Sequence, residues 1–451
     1  VVGLYQNLLR KTLEHFFPDA VLEIEGDRSV IEWSGSPDET SYRLIDDEDG
    51  LGLGIEWLGT RLSFRPASPV PLLPLERRLV EVVVHALELR FRGLFDQDLA
   101  DRLERFEYVI EDLIVADFLR PRNHFRIPSA LEALRVAALS TYENRRVSTG
   151  VLLLGTDVDP SSPHRGNTDG APRFNSRLTA IKGFHRLCDG VQTVFLVDLH
   201  GDLLRMADIA YWADRVQGSE PPGHPCPRQY HSHAKATRSG GHHCLVLTPN
   251  QEIKVFAGGT MVFNLSDARW RPLDIPSKYA AWAEAVGRTV PPDLALSLFQ
   301  AALNLGESRT GALLVVVRDP ERAVRELIAP IDRITEEVAA DDPQDPENLS
   351  PRLAKRALHH AVRGATLCDV EPMVLEAMAG LDGAVVVDRD GRLLTFGAIL
   401  RIAPETLELV RSVQGARTLA ALAASQYGPV LKVSQDGYIT MFLKGRWVWE
   451  L

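Results

Sequence analysis

Leu381-Asp382-Gly383-Ala384 runs into the apolar strand Val385-Val386-Val387 and the turn Asp388-Arg389-Asp390-Gly391. Further on, Gly415-Ala416-Arg417-Thr418 opens an alanine-rich helix that leads to Val430-Leu431-Lys432-Val433-Ser434-Gln435-Asp436-Gly437-Tyr438-Ile439-Thr440-Met441-Phe442. The order of strand, turn, helix, strand and turn puts a carboxylate and a guanidinium at the mouth of a sheet.

A carboxylate followed by glycine lets the backbone approach a ligand closely, because glycine has no Cβ and tolerates unusual dihedrals. Asp382 is therefore suited to a cation or a ribose hydroxyl. Gly415 before a helix start leaves free amide groups that favour an anion, and Arg417 adds a fork suited to phosphate. Together they describe a nucleotide site. The plainer alternative is a turn at Asp382-Gly383 and a solvated Arg417, since short motifs taken singly recur by chance.

In order and spacing these segments resemble the diadenylate cyclase (DAC) domain. That family carries Asp-Gly-Ala before a strand, Gly-Thr-Arg-His-Arg at a helix start, and Val-Ser-Glu-Glu-x-Gly over a strand and turn. The resemblance implies a mixed central sheet flanked by helices. It also implies chemistry in which two ATP molecules are joined across a face-to-face domain pair, with the motif aspartate helping to bind metal and activate a ribose hydroxyl. Carried onto this chain, Asp382, Gly383 and Ala384 would shape the base or ribose wall. Gly415, Arg417 and Thr418 would lie on phosphate, and Ser434, Asp436 and Gly437 would close the pocket.

The departures carry as much weight. Arg417-Thr418-Leu419 stands where the cyclases have Arg-His-Arg, and Gln435-Asp436 replaces the Glu-Glu pair. Loss of cations aimed at a triphosphate removes stabilisation of the charge that builds during transfer. The expectation is a sensor of a nucleotide or cyclic dinucleotide in bacterial signalling or defence, built on a catalytically degenerate domain and read by a separate effector protein. No metal is assigned on that reading. The alternative is an active cyclase making cyclic di-AMP from two ATP, with Asp382 catalytic, Mg²⁺ or Mn²⁺ as cofactor, and second copies meeting as a homodimer. A third possibility is a scaffold that binds nothing.

The middle of the chain repeats this pattern. Ser148-Thr149-Gly150-Val151-Leu152-Leu153-Leu154 echoes Arg309-Thr310-Gly311-Ala312-Leu313-Leu314-Val315, and Val194 to Leu204 matches Ala384 to Leu394 without a gap. Thr248 falls under Ser434, and Ile253-Lys254-Val255-Phe256 under Ile439-Thr440-Met441-Phe442. Duplication explains such parallels more simply than chance. The copies differ where chemistry would sit. Gln192-Thr193 replaces Asp382-Gly383, with Asp189-Gly190 displaced toward the N-terminus, and His231-Ser232-His233 replaces Arg417-Thr418-Leu419. His231 and His233 mark a possible site of the first repeat, facing water or a phosphate. The nearby His224, Cys226, His242, His243 and Cys244 make a structural zinc conceivable, but their spacing fits no strong finger pattern.

The expected architecture is α/β: two tandem DAC-like domains over 128–275 and 276–451, preceded by a small α+β domain over 1–65 and a proline linker with helical hairpin over 66–127. Pro66, Pro69, Pro71 and Pro74 stiffen that linker. Alternating runs at Val21–Glu25, Val30–Trp33, Tyr42–Ile45 and Arg61–Phe64 predict strands. Helical spacing predicts helices over Leu75–Leu94, Leu99–Leu119, Ile275–Val290 and Leu294–Leu305. Asp157–Pro172 and the acidic Glu336–Asn348 read as loops after each repeat's first strand. Trp447-Val448-Trp449 is expected to tuck against the last strand. The 451 residues carry a net charge of −11, which argues against DNA coating and against anionic membranes. No apolar run approaches the roughly 18 residues that span a bilayer. Four scattered cysteines suit a reducing cytoplasm.

Overall fold

In a computed structural model the chain folds into two compact units, Val1–Ile275 and Pro276–Leu451. The structure describes residues 2–25, 41–47, 50–66, 71–95, 106–119, 126–142, 144–157, 159–161, 170–179, 187–287, 291–334, 359, 362, 364–402 and 415–451. The run Val30–Trp33, Pro69, the start of the second predicted helix, most of Asp157–Pro172 and all of Glu336–Asn348 lie outside them.

Unit one opens with helix α1 (Val2–Phe16), whose Tyr5, Leu9, Leu13 and Phe16 form one buried stripe. An antiparallel sheet follows, ordered β1-β4-β3-β2, from β1 (Val21–Glu25), β2 (Arg43–Asp46), β3 (Leu53–Trp57) and β4 (Thr60–Arg65). Helix α2 (Pro74–Gly93) starts on a proline, which its first turn tolerates because that amide lacks a helical partner anyway, and the Glu76 carboxylate accepts from the Leu73 amide at 3.1 Å. Helices α3 (Ile110–Leu119) and α4 (Arg126–Ala138) and the short hairpin β5 (Thr141–Tyr142) and β6 (Arg145–Arg146) come next.

The larger sheet of this unit is built from β7 (Thr149–Leu153), β8 (Thr193–Val197), β9 (Leu203–Asp208), β10 (His243–Leu247), β11 (Ile253–Ala257), β12 (Thr260–Ser266) and β13 (Arg269–Pro272). Helices α5 (Ile209–Gln217) and α6 (His231–Ala236) lie between β9 and β10 in sequence. A single apolar core runs from Tyr5 of α1 to Trp270 of β13. The buried Asp112 carboxylate ties it together, accepting from Arg135 at 2.7 Å and from the Trp270 indole at 2.9 Å.

Unit two takes helix α7 (Ile275–Val286), α8 (Pro292–Glu307), β14 (Ala312–Val317), α9 (Pro320–Glu326), α10 (Pro372–Ala379), β15 (Ala384–Asp388), β16 (Leu393–Ala398), α11 (Ala416–Ala424), β17 (Val430–Val433), β18 (Ile439–Leu443) and β19 (Arg446–Glu450). Strand alternation divides its side chains between two faces. Leu313, Val315, Val386, Val430 and Phe442 pack with Ala421 and Ala424 of α11, while α8 and α10 cover the opposite face. Trp447-Val448-Trp449 does not tuck against the last strand. It forms that strand, pairing with β18.

The two large sheets share one topology. The order β9-β8-β7-β10-β11-β12 corresponds to β16-β15-β14-β17-β18-β19, with β13 added at one edge. In each, the first two strands are parallel and all other pairs antiparallel. Two irregularities coincide as well, although the β15–β16 ladder has a further shift between Ala384 and Val386. The β8–β9 ladder shifts register between Leu196 and Val197, and the β15–β16 ladder between the matched Val386 and Val387. Likewise β11–β12 shifts between Val255 and Phe256, and β18–β19 between Met441 and Phe442.

One sequence parallel is corrected by the ladders. Val151 lies opposite Phe195 and Leu245, whereas Leu314 lies opposite their counterparts Val385 and Leu431. Val151 therefore corresponds to Leu314, and the Thr-Gly echo is two residues out of register. A slip of two leaves every side chain on its original face, so hydrophobic pattern alone does not expose it.

Candidate functional site

In unit two, Asp382 sits just before β15 with its side chain 97% exposed. Gly383 has φ +120°, and a Cβ there would stand 2.4 Å from the Gly397 carbonyl carbon. Only glycine lets the turn dock so closely on β16. Ala384 is buried in the core as the first residue of β15, so it supplies packing beneath the site.

Gly415, at φ +103°, precedes α11 and places Arg417 and Thr418 in the first helical turn, both partly exposed. The Arg417 guanidinium lies over Gly311, where an added Cβ would come within 2.2 Å of Nη1. It reaches across to Asp382, Nη2 to Oδ1 at 4.0 Å. That is the outer limit of an ion pair and too long for a hydrogen bond. Among the described residues the guanidinium has no hydrogen-bond partner. The structure thus brings Asp382 of one motif to the edge of ion-pair range of Arg417 of the other, with Arg417 lying over Gly311.

Sequence reasoning passed over Lys432. It stands in the middle of β17, opposite Leu313 on one side and Thr440 on the other. Its Nζ donates to Thr418 Oγ1 at 3.3 Å and lies 5.9 Å from the Phe442 ring centroid. Burial pulls its pKa below the ordinary lysine value; Glu450 partly offsets this and Arg417 adds to it. The signal was available in Val430-Leu431-Lys432-Val433, because strand alternation puts Lys432 on the same face as the buried Val430.

Ser434, Asp436 and Gly437 form the turn from β17 to β18 at the Gly311 end of the sheet. The Ser434 hydroxyl accepts from the Tyr438 amide at 3.1 Å, and the Gly437 amide donates to the Ser434 carbonyl at 3.1 Å. Gly437, at φ +93°, lies against Gly306 at the end of α8. Asp436 is exposed. Thr248 does in the first repeat what Ser434 does here, its hydroxyl accepting from the Glu252 amide at 3.2 Å. The Ser434 hydroxyl thus has a job in the fold in addition to any ligand it meets.

The equivalent region of unit one is closed upon itself. Asp189 Oδ1 accepts from the amides of Val191, Gln192 and Thr193 at 2.9, 2.8 and 3.0 Å. Burial would raise this carboxyl's pKa, but those donors and the Thr193 hydroxyl outweigh it and hold it below the usual value. His233 is fully buried against Tyr230 and Phe256 and donates from Nε2 to the Gly190 carbonyl at 2.7 Å. Burial lowers its pKa to about 4. His231 donates to the Cys226 carbonyl at 2.9 Å. Lys254, 4% exposed, pairs with Glu252 at 3.2 Å.

Among the described residues no group of three or more His, Cys, Asp or Glu could hold a metal ion, the histidine and cysteine cluster included. Asp382 is the carboxylate facing Arg417, so a divalent ion there would take its remaining ligands from water and a bound phosphate, as Mg²⁺ commonly does. No helix among the described residues is long and apolar enough to cross a membrane.

Residues 299–447 match the DAC family, described as "DisA bacterial checkpoint controller nucleotide-binding". A solved structure titled as a hypothetical membrane spanning protein from Bacillus cereus is 20% identical, with 38% of this chain and 69% of that chain covered and a TM-score of 0.27. A double mutant of DacA from Staphylococcus aureus is 19% identical, with 34% and 84% covered and a TM-score of 0.20. No curated protein matches.

Proposed function

We propose that the DAC domain matched over residues 299–447 is a receptor for a nucleotide or cyclic dinucleotide, and that it binds this ligand without making one. The observation that carries the reading is the pairing of Asp382 with Arg417. An exposed carboxylate and an unbonded guanidinium 4.0 Å apart offer partners for ribose hydroxyls and for phosphate at one mouth. Thr418 and Leu419 stand where the cyclases carry a histidine and a second arginine, so the helix offers less positive charge to the charge that builds in a transition state. Binding survives such a loss more readily than turnover does. A separate effector protein would read the occupied state.

The second reading is a diadenylate cyclase. The exposed Asp382 favours it, since the motif aspartate is kept at the start of β15 and is free to share a Mg²⁺ or Mn²⁺ ion with ATP phosphates. Two copies of the chain would then meet across their second repeats.

Incubation with labelled ATP and either metal separates the two readings. The receptor reading expects ATP to remain, and formation of a cyclic dinucleotide would overturn it. Thermal-shift titration against a nucleotide panel then tests binding itself, because a ligand selective for the folded state raises its stability. A panel that shifts nothing would leave the scaffold reading.

A further inference from the structure

We infer that Lys432, which belongs to none of the three motifs, is the second cation of the nucleotide cleft and grips ligand phosphate together with Arg417. The inference rests on the receptor reading above and assigns how its phosphates are held.

Three observations converge on it. The first is position. Lys432 Nζ reaches Thr418 Oγ1 at 3.3 Å, so the ammonium stands beside the first turn of α11, one residue from Arg417 in sequence. The motif position that would carry a second arginine holds Leu419 instead. A cation missing from the helix is supplied by the neighbouring strand.

The second is charge. Among the described residues no carboxylate lies within ion-pair distance of Lys432. Glu450, the acid that acts on it from β19, accepts from the Thr440 hydroxyl at 3.2 Å. Asp382 faces Arg417 at the limit of pairing. Arg417 and Lys432 are partly buried cations that repel each other, and that repulsion is relieved when an anion binds between them. A fork beside a compact ammonium suits adjacent phosphate oxygens.

The third is the other repeat. Lys432 pairs across the sheet with Thr440, and the equivalent pair is Val246 with Lys254. Each repeat thus carries one lysine in the same cross-strand pair, on opposite strands. In unit one that lysine is sealed by Glu252 at 3.2 Å. In unit two the position of Glu252 is held by Tyr438, and the ammonium is left without a carboxylate.

The test is calorimetric titration of the full chain with ATP, adenosine and inorganic tripolyphosphate, for the unmodified protein, Lys432→Gln and Lys432→Arg. Lys432→Gln is expected to weaken ATP and tripolyphosphate by about ten- to a hundredfold, the worth of a hydrogen bond to a charged group. Adenosine affinity should hold, and Lys432→Arg should restore most of the loss. Unchanged ATP affinity in Lys432→Gln would overturn the inference and leave the receptor reading standing. Equal losses for adenosine and ATP would also overturn it, as the mark of a merely structural lysine. Lys432-dependent binding of tripolyphosphate with none of ATP would support the cation pair and remove ATP as the receptor's ligand. No binding of any probe would overturn the inference, leaving a cyclic dinucleotide as the receptor reading's remaining ligand.

Discussion

The two repeats share a sheet down to the placement of two register shifts, yet they treat their polar groups in opposite ways. In the first, Asp189 caps its own turn, His233 is sealed on the Gly190 carbonyl, and Lys254 is neutralised by Glu252. In the second, Asp382 is 97% exposed, Arg417 lies 4.0 Å from it, and Lys432 bonds the Thr418 hydroxyl beside the Phe442 ring, with no carboxylate at ion-pair distance among the described residues. The difference teaches that one sheet topology can either bond its polar groups to its own backbone or leave them open at the mouth. Once the fold pairs a group with its own backbone, a ligand must displace that bond to gain one.

The comparison can be broken first at the glycines. Gly190 and Gly383 each hold a positive φ, with a would-be Cβ within 2.5 Å of backbone. Gly190→Ala and Gly383→Ala should each cost about 3 to 4 kcal/mol, by strain and overpacking together, seen as lowered denaturation midpoints. Gly190 packs on Thr149 and Gly383 on Gly397, so tolerance of alanine at either would mean that close backbone contact does not fix that strand start.

Acid should separate the repeats next. The folded pKa of His233, about 4, lies below its ordinary 6.5, so the unfolded state takes up a proton that the folded state refuses. Its contribution is complete above pH 6.5 and is lost as pH falls toward 4, a change of the order of 3 kcal/mol. His233→Leu, which installs the residue type of Leu419, should flatten that slope in denaturant titrations run across this window. An unchanged slope would remove His233 from the account.

A smaller contrast concerns the two aspartates. Asp189→Ala should destabilise by about 1 to 2 kcal/mol, since three amides lose their acceptor, whereas Asp382→Ala should leave the melting temperature where it is. Because the Asp189 pKa is held low, its contribution is present above the ordinary carboxylate range and fades as pH falls through the folded value. Equal effects of the two substitutions would mean that both carboxylates serve the fold.

Much of this was legible in the sequence because strands and helix starts leave local marks. Asp382-Gly383, Gly415 and Arg417 were found from turn chemistry and charge, and the duplication from matched apolar runs. Lys432 was missed because it sits inside an apolar strand, where its neighbours across the sheet, rather than along the chain, decide what it does. The roles of Asp189 and His233 were hidden for the same reason. A capped turn and a bond to the Gly190 carbonyl are three-dimensional facts that spacing does not encode. The two-residue slip of the Thr-Gly echo passed unseen because strand periodicity is blind to even shifts.

Stoichiometry tests the central contrast most directly. Titrating the full chain calorimetrically with ATP and with cyclic di-AMP should give one site per chain for whichever ligand binds. Arg417→Ala should weaken that site at least about tenfold, and His231→Ala should leave it unchanged. Two equivalent sites per chain, or a site lost with His231 and kept without Arg417, would contradict the account.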